Sequence, residues 1–305
     1  MNFQAVTVVP SELGESPFWH PTEQLLYWVD IPGRKIMRAK ADGASAAQSW
    51  SMPSEPGCIA PAVKGGLVIA LRDGIYRAPS WGGELQLLHR FPYDSSVIRF
   101  NDGKADTLGR YWAGTLCDVR TSTDAELFVL DCRDGRAPEA RRMAGNSTIA
   151  NGLAWSPDNG TIYWADTQSQ IIKAWDWESE SNTMSNERVF QQFAPKPADW
   201  VSGMPGYGGR PDGAAVDTHG NYYVAMFEGA RLLKFAPNGD LLAEIPTPVQ
   251  CPTMPCFGGD DLQTLYITTS RDKRPATELA AMPQSGCVFA VRVDTPGLPV
   301  NFFRD

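Results

Sequence analysis

The sequence has no run of Lys and Arg, no stretch of 18 apolar residues and no closely spaced cysteines. Each gap removes a class of protein. With 27 basic against 35 acidic residues and a net charge of −8, the chain has the wrong sign for a phosphate backbone, so nucleic acid is excluded as a partner. No segment is long and apolar enough for a membrane-spanning helix, and Met1 to Thr7 lacks the basic-then-apolar order of a secretory signal. A soluble, non-exported, cytoplasmic protein with no membrane partner is expected. Six cysteines spread over 305 residues are too dilute for a disulfide-stapled domain, so reduced thiols are expected.

Other absences concern chemistry. The three histidines, His20, His89 and His219, lack ligand spacing, and no Cys-x-x-Cys pair occurs, which argues against a Cys/His structural zinc site. Cys251 and Cys256 read as small buried residues near a turn. A serine hydrolase lacks support because there is no Gly-x-Ser-x-Gly. Gly203 to Gly209 (GMPGYGG) lacks the spacing of a nucleotide-binding loop and the helix that should follow it; it reads as a loop over a pocket.

What is present is a repeat. Short runs rich in Tyr, Trp, Val, Ile and Thr, bounded by Gly, Asp, Asn and Pro, recur from end to end, as strands and turns do. Six of them align on Tyr27, Val68, Tyr111, Tyr163, Tyr223 and Tyr266, at intervals of 41, 43, 52, 60 and 43 residues. A period of that size, with several short strands per unit, is the signature of a β-propeller. The expected fold is all-β: a six-bladed propeller forming a single domain over 1–305, with the two long intervals as loop insertions, one of them between Gln191 and Arg210.

Counting back from the anchors exposes a second repeat. Glu15 lies 12 residues before Tyr27, Asn101 lies 10 before Tyr111, Asn151 lies 12 before Tyr163, and Asp212 lies 11 before Tyr223. Each is followed within three residues by Gly or Pro. Alone, Asn101-Asp102-Gly103 is a turn signal. At one address in four blades, the same residue types converge on the propeller axis. Two carboxylates and two amides meeting there are costly unless a cation joins them, and their all-oxygen character suits Ca²⁺, Mg²⁺ or Mn²⁺. Cys58 and Cys256 fall at the corresponding address in the remaining blades and are expected to line the channel floor.

In order and spacing, Gly14-Glu15-Ser16-Pro17-Phe18-Trp19, Arg99-Phe100-Asn101-Asp102-Gly103-Lys104, Asn151-Gly152-Leu153, Pro211-Asp212-Gly213 and Cys256-Phe257-Gly258-Gly259 together resemble the family of senescence marker protein (regucalcin), gluconolactonase and related sugar lactonases. The resemblance implies a six-bladed propeller with one divalent metal at its central channel, held by Glu15, Asn151 and Asp212, and a sugar lactone contacted by Arg99 and Asn101. Where regucalcin-like members carry adjacent glutamates, this chain has Leu116-Cys117-Asp118-Val119; Asp118 either replaces one of them in binding substrate or faces solvent. The implied activity is metal-dependent hydrolysis of an aldonolactone (glucono-, galactono-, arabinono- or xylono-type), with Ca²⁺, Mg²⁺, Mn²⁺, Fe²⁺ or Zn²⁺ as the ion; Asp212, ligand and carboxylate at once, is the candidate general base on the attacking water. The rival readings are a calcium-dependent phosphotriesterase-like hydrolase and a non-catalytic metal-binding propeller.

Overall fold

Neighbouring residues on a strand point to opposite faces of its sheet, and in the six aromatic-rich runs both faces are covered. Tyr111 and Ala113 join Val68, Ala70 and Phe303 in one buried cluster, while the intervening Trp112 joins Leu127, Trp155 and Trp164 in the next. The division recurs around the molecule: Tyr27 clusters with Ile69, Tyr163 with Tyr222, Tyr223 with Leu265, and Tyr266 with Trp28. Sheets that bury both faces against neighbouring sheets make a propeller. The computed structural model, which describes residues 2–120 and 122–305, has six four-stranded sheets. The protein is an all-β six-bladed propeller.

Each anchor run is the second strand of its blade: Leu25–Asp30, Leu67–Leu71, Tyr111–Cys117, Thr161–Asp166, Tyr222–Phe227 and Thr264–Thr269. The first strands, among them Gly14–His20, Ile98–Ala105, Ala150–Trp155 and Arg210–Val216, touch one another in a closed ring around the axis. These inner strands are almost wholly buried, whereas outer strands such as Gln48–Ser51 and Gln86–Arg90 are largely exposed. The longest interval holds the expected irregular insertion, with no strand or helix between Gln192 and Arg210, whereas the interval from Tyr111 to Tyr163 is lengthened mainly by longer strands such as Glu139–Ser147. Among the described residues no helix is long and apolar enough to cross a membrane.

Both chain ends close the ring, which the repeat did not foretell. Gln4–Ala5 pairs with Phe289–Arg292 as the outermost strand of the last blade. Residues 298–305 then cross one end of the ring. Leu298 N donates to Val216 O at 3.2 Å, Asn301 Nδ2 to Ala105 O at 3.2 Å and Phe303 N to Pro61 O at 2.8 Å, so the tail ties the fifth, third and second blades together. Phe303 is fully buried between the second and third blades. Phe303→Ala is expected to cost about 3–5 kcal/mol, read as a lowered denaturation midpoint with an unchanged slope. A loss below about 1 kcal/mol would show that the tail does not stabilise the ring.

Candidate functional site

Four inner strands share one irregularity. Pairing with the second strand slips between Glu15 and Phe18, between Phe100 and Gly103, between Asn151 and Ala154, and between Pro211 and Ala214. Glu15, Asn101, Asn151 and Asp212 each lie in or at the edge of a slip. A β-bulge sets two residues against one and re-aims the side chains beside it. Ser16 (φ 49°) and Gly152 (φ 60°) take left-handed conformations there; at Gly152 a Cβ would also sit 2.4 Å from the Tyr222 hydroxyl. The Asn-Gly signals are therefore strand bulges, not hairpin tips.

The chain just ahead of two bulges is pinned by an aspartate three residues past the anchor tyrosine. Asp30 accepts from Glu12 N at 3.1 Å and Leu13 N at 3.2 Å; Asp166 accepts from Thr148 N at 3.2 Å and Ile149 N at 3.3 Å. These bonds hold the entry to the strands that carry Glu15 and Asn151.

Together these features build a polar pocket of about 370 Å³ at one end of the axis, lined by Glu15, Arg99, Asn101, Asn151 and Asp212, with Asp118 also in its wall. All six residues singled out in the sequence meet in one place. The first five are more than nine-tenths buried. Asp118 is 40% exposed, is bonded to Arg72 at 3.0 Å and lies 3.9 Å from the Arg99 guanidinium, so it belongs to the pocket rim.

A chain of hydrogen bonds orients the amides. Arg99 Nη1 donates to Asn101 Oδ1 at 3.0 Å, Asn101 Nδ2 donates to Asn151 Oδ1 and to Ala150 O, both at 3.0 Å, and Asn151 Nδ2 donates to Thr167 Oγ1 at 2.8 Å. Asn151 Oδ1 accepts one bond and keeps a second lone pair.

The carboxylates are starved of positive charge. Burial, then the charges of Asp212 and Asp102, push Glu15 well above the usual carboxylate range. Burial, then Asp102, pushes Asp212 up to about 8, against which Arg210 and Arg120 pull down. Deeper in the channel, burial raises Asp102, whose Oδ2 accepts from Leu153 N at 3.0 Å while its Oδ1 has no partner among the described residues. The nearby amine of Lys104 is itself depressed by burial and donates to Ala214 O. Among the described residues no three His, Cys, Asp or Glu side chains converge to hold an ion by themselves. An ion in this pocket would have to combine the Glu15 and Asp212 carboxylates with an amide oxygen such as that of Asn151. That all-oxygen set fits a hard or borderline divalent cation, and the orphaned Asp102 oxygen marks the same deficit of positive charge.

Two expectations are corrected. Cys58 pairs opposite Ala70, two residues past the anchor Val68, but Cys256 pairs opposite Tyr266 itself. The second blade turns one pair beyond Val68, at Pro61 and Leu67, whereas the last turns two pairs beyond Tyr266, at Gly258 and Thr264, so the same count lands on different pairs and the two thiols do not share a channel floor. Cys58 is buried beside Tyr111, whose hydroxyl donates to it at 3.2 Å. Cys256 instead lines a second, largely apolar cavity of about 210 Å³ at the opposite end, beneath Leu298 and Pro299. The Gly203 to Gly209 stretch leads into Arg210 but contributes no residue to the polar pocket. All six cysteines are free.

Sequence reasoning missed Arg120, Thr167, Arg210 and Arg274, which also line the pocket. Arg210 was detectable: it precedes Asp212 by two residues, as Arg99 precedes Asn101, and so shares its strand face.

Residues 13–271 match the model of the SMP-30/gluconolactonase/LRE-like region. The chain belongs to that family. It is 41% identical to a 6-deoxy-6-sulfogluconolactonase from Pseudomonas putida, covering 96% of each chain, and 33% identical to regucalcin from Danio rerio, covering 95% of this chain and 94% of the relative. A crystal structure of a calcium-binding regucalcin from Agrobacterium tumefaciens superimposes with a TM-score of 0.88 at 22% identity, over 99% of this chain and 97% of that one. At that identity the superposition speaks for the fold of the SMP-30/gluconolactonase family alone.

The raised carboxylates set a pH dependence for the metal-free protein. Between the ordinary value of 3.8 and about 8, Asp212 is protonated when folded and ionised when unfolded. The folded state then binds more protons, and stability falls as pH rises through that window. Thermal melts in chelator should show the midpoint dropping from pH 5 to pH 8, with Asp212→Asn removing much of the drop. An identical slope in the variant would contradict the assignment.

Proposed function

We propose that this protein hydrolyses an aldonolactone of the glucono-, galactono-, arabinono- or xylono-type to its aldonic acid, with one divalent ion. The observation that carries the reading is the meeting of Glu15, Asn151 and Asp212 with Arg99 and Asn101 around one polar pocket. Membership of the SMP-30/gluconolactonase family supports it. The name of the Pseudomonas putida relative adds a 6-sulfonated gluconolactone to the candidate substrates.

An ion held by Glu15, Asn151 and Asp212 supplies Lewis acidity toward the lactone carbonyl. Asp212 is assigned as general base: its carboxylate takes a proton from the attacking water and returns it to the ring oxygen as the C–O bond opens. Arg99 spends Nη1 on Phe100 O and Asn101 Oδ1, which leaves Nε and Nη2 for sugar oxygens. A lactone without hydroxyls would leave those buried donors unpaired, which disfavours apolar substrates.

The test is the initial rate of acid release from a panel of five- and six-membered aldonolactones, including a 6-sulfonated one, before chelation, after EDTA and after adding back Ca²⁺, Mg²⁺, Mn²⁺, Fe²⁺ or Zn²⁺ singly. Hydrolysis lost to EDTA and restored by an ion is expected, and Asp212→Asn should lower kcat about a hundredfold or more. An Asp212→Asn protein that folds, retains the ion and turns over at the original rate would remove Asp212 as the base. No hydrolysis of any lactone with any ion would sink the proposed activity.

A further inference from the structure

The pocket wall carries Arg99, Arg120, Arg210, Lys273 and Arg274 against Glu15, Asp118, Asp212 and Asp272, and a divalent ion held by Glu15 and Asp212 would leave that wall net positive. These cations are not equally engaged. Arg274 is spent inside the protein, on Glu278 at 2.7 and 2.9 Å and on Glu228 at 2.8 Å. Arg99 is tied to the Asn101 amide and to Phe100 O. Arg210 lies over the Phe227 ring, and among the described residues its one carboxylate within 4.0 Å is Glu228, at 3.5 Å, which already holds Arg274 at 2.8 Å and Lys196 at 2.9 Å. Arg120 stands on the turn that follows Tyr111–Cys117, where its N–H donates to Cys117 O at 2.9 Å. Among the described residues its guanidinium has no carboxylate within 4.0 Å and no hydrogen bond.

Arg120 and Arg210 come from different blades, yet the charges of both act on Asp212, and Arg120 also acts on Arg99, which burial and Arg120 together pull down to about 10. The two under-paired guanidiniums thus face the same space above the candidate catalytic carboxylate. Cations lining one pocket favour an anion within it, and guanidinium forks suit the oxygens of sulfonate, phosphate or carboxylate.

We propose that Arg120 and Arg210 form a receptor for an oxyanion at the end of the sugar remote from the lactone carbonyl, so that the substrate class is an acidic aldonolactone. The assignment rests on the lactonase reading above and adds to it the two residues that set specificity. Arg120 is exposed at the pocket rim, where an acidic substituent would pair with its guanidinium in place of water.

Two measurements test it. The first compares kcat/KM for gluconolactones carrying sulfonate, phosphate or carboxylate at C6 with that for unsubstituted gluconolactone, in the wild type, Arg120→Gln and Arg120→Lys. The wild type should prefer at least one acidic lactone, and the acid-over-neutral ratio should fall about ten- to a hundredfold in Arg120→Gln, mainly through KM. Arg120→Lys should recover part of the ratio, and added salt should raise KM for the acidic substrate. The three acids distinguish which oxyanion is read. A wild-type preference for the neutral lactone, or an equal loss on both classes in Arg120→Gln, overturns the receptor while leaving the lactonase reading intact.

The second measurement does not depend on turnover: calorimetric binding of 6-deoxy-6-sulfoglucose, glucose 6-phosphate, glucuronate and glucose to the ion-loaded protein. Tighter binding of an acidic sugar, weakened tenfold or more by Arg120→Gln, supports the receptor even if no lactone is hydrolysed. Equal affinity for acidic and neutral sugars overturns it.

Discussion

The β-bulge beside Glu15, Asn101, Asn151 and Asp212 redirects side chains that strict alternation would send into the interfaces between blades. A residue on an inner strand has apolar neighbours on both sides, so a carboxylate or amide aimed sideways would be buried without a partner. Slipping the register by one residue turns these groups toward the axis, where other polar groups can meet them. Four blades use the same slip, and the pocket exists because they do. The second blade, whose inner strand pairs with its neighbour without a slip, presents only Cys58 and contributes none of the pocket's polar groups.

Concentrating polar groups on the axis has a cost that the rest of the ring must offset. Glu15, Asp102 and Asp212 are buried within one another's fields, and Lys104 is the amine set among them. Six interblade clusters, rich in the anchor aromatics and their neighbours, supply the burial that tolerates this strain. Pairing of the N-terminal strand and the C-terminal crossing shut the ring, so that the blades cannot spread to relieve the repulsion. A divalent ion at the Glu15 and Asp212 carboxylates would remove the same strain directly. Folding stability and readiness for a cation are in this sense one property of the channel.

How much of this could be read in advance depended on whether the signal was local and repeated. The anchors Tyr27, Tyr111, Tyr163, Tyr223 and Tyr266 alternate with residues that face the opposite interface, so the period and the blade number were legible. Glu15, Asn101, Asn151 and Asp212 were legible because each stands near a fixed distance from an anchor. Cys256 was misplaced for the converse reason: the hairpin of the last blade runs one pair further past its anchor than that of the second, and counting residues cannot see where a hairpin turns. Arg120 left no trace, since a lone arginine on a turn has no periodic partner and becomes noticeable only once Arg99, Arg210 and Asp212 surround the same space.

By itself, then, the sequence determined the strand period, the six blades and the set of oxygen-bearing residues at one repeat address, because these follow from residue type and from spacing along a single chain. Tertiary structure alone decided the rest. The bulges convert a shared address into a shared direction, Gln4–Ala5 and residues 298–305 complete the ring through partners distant in the sequence, and Arg120 and Arg210 reach one pocket wall from different blades. Such features depend on distances across the axis, and separation along the sequence carries no information about them until the ring is closed.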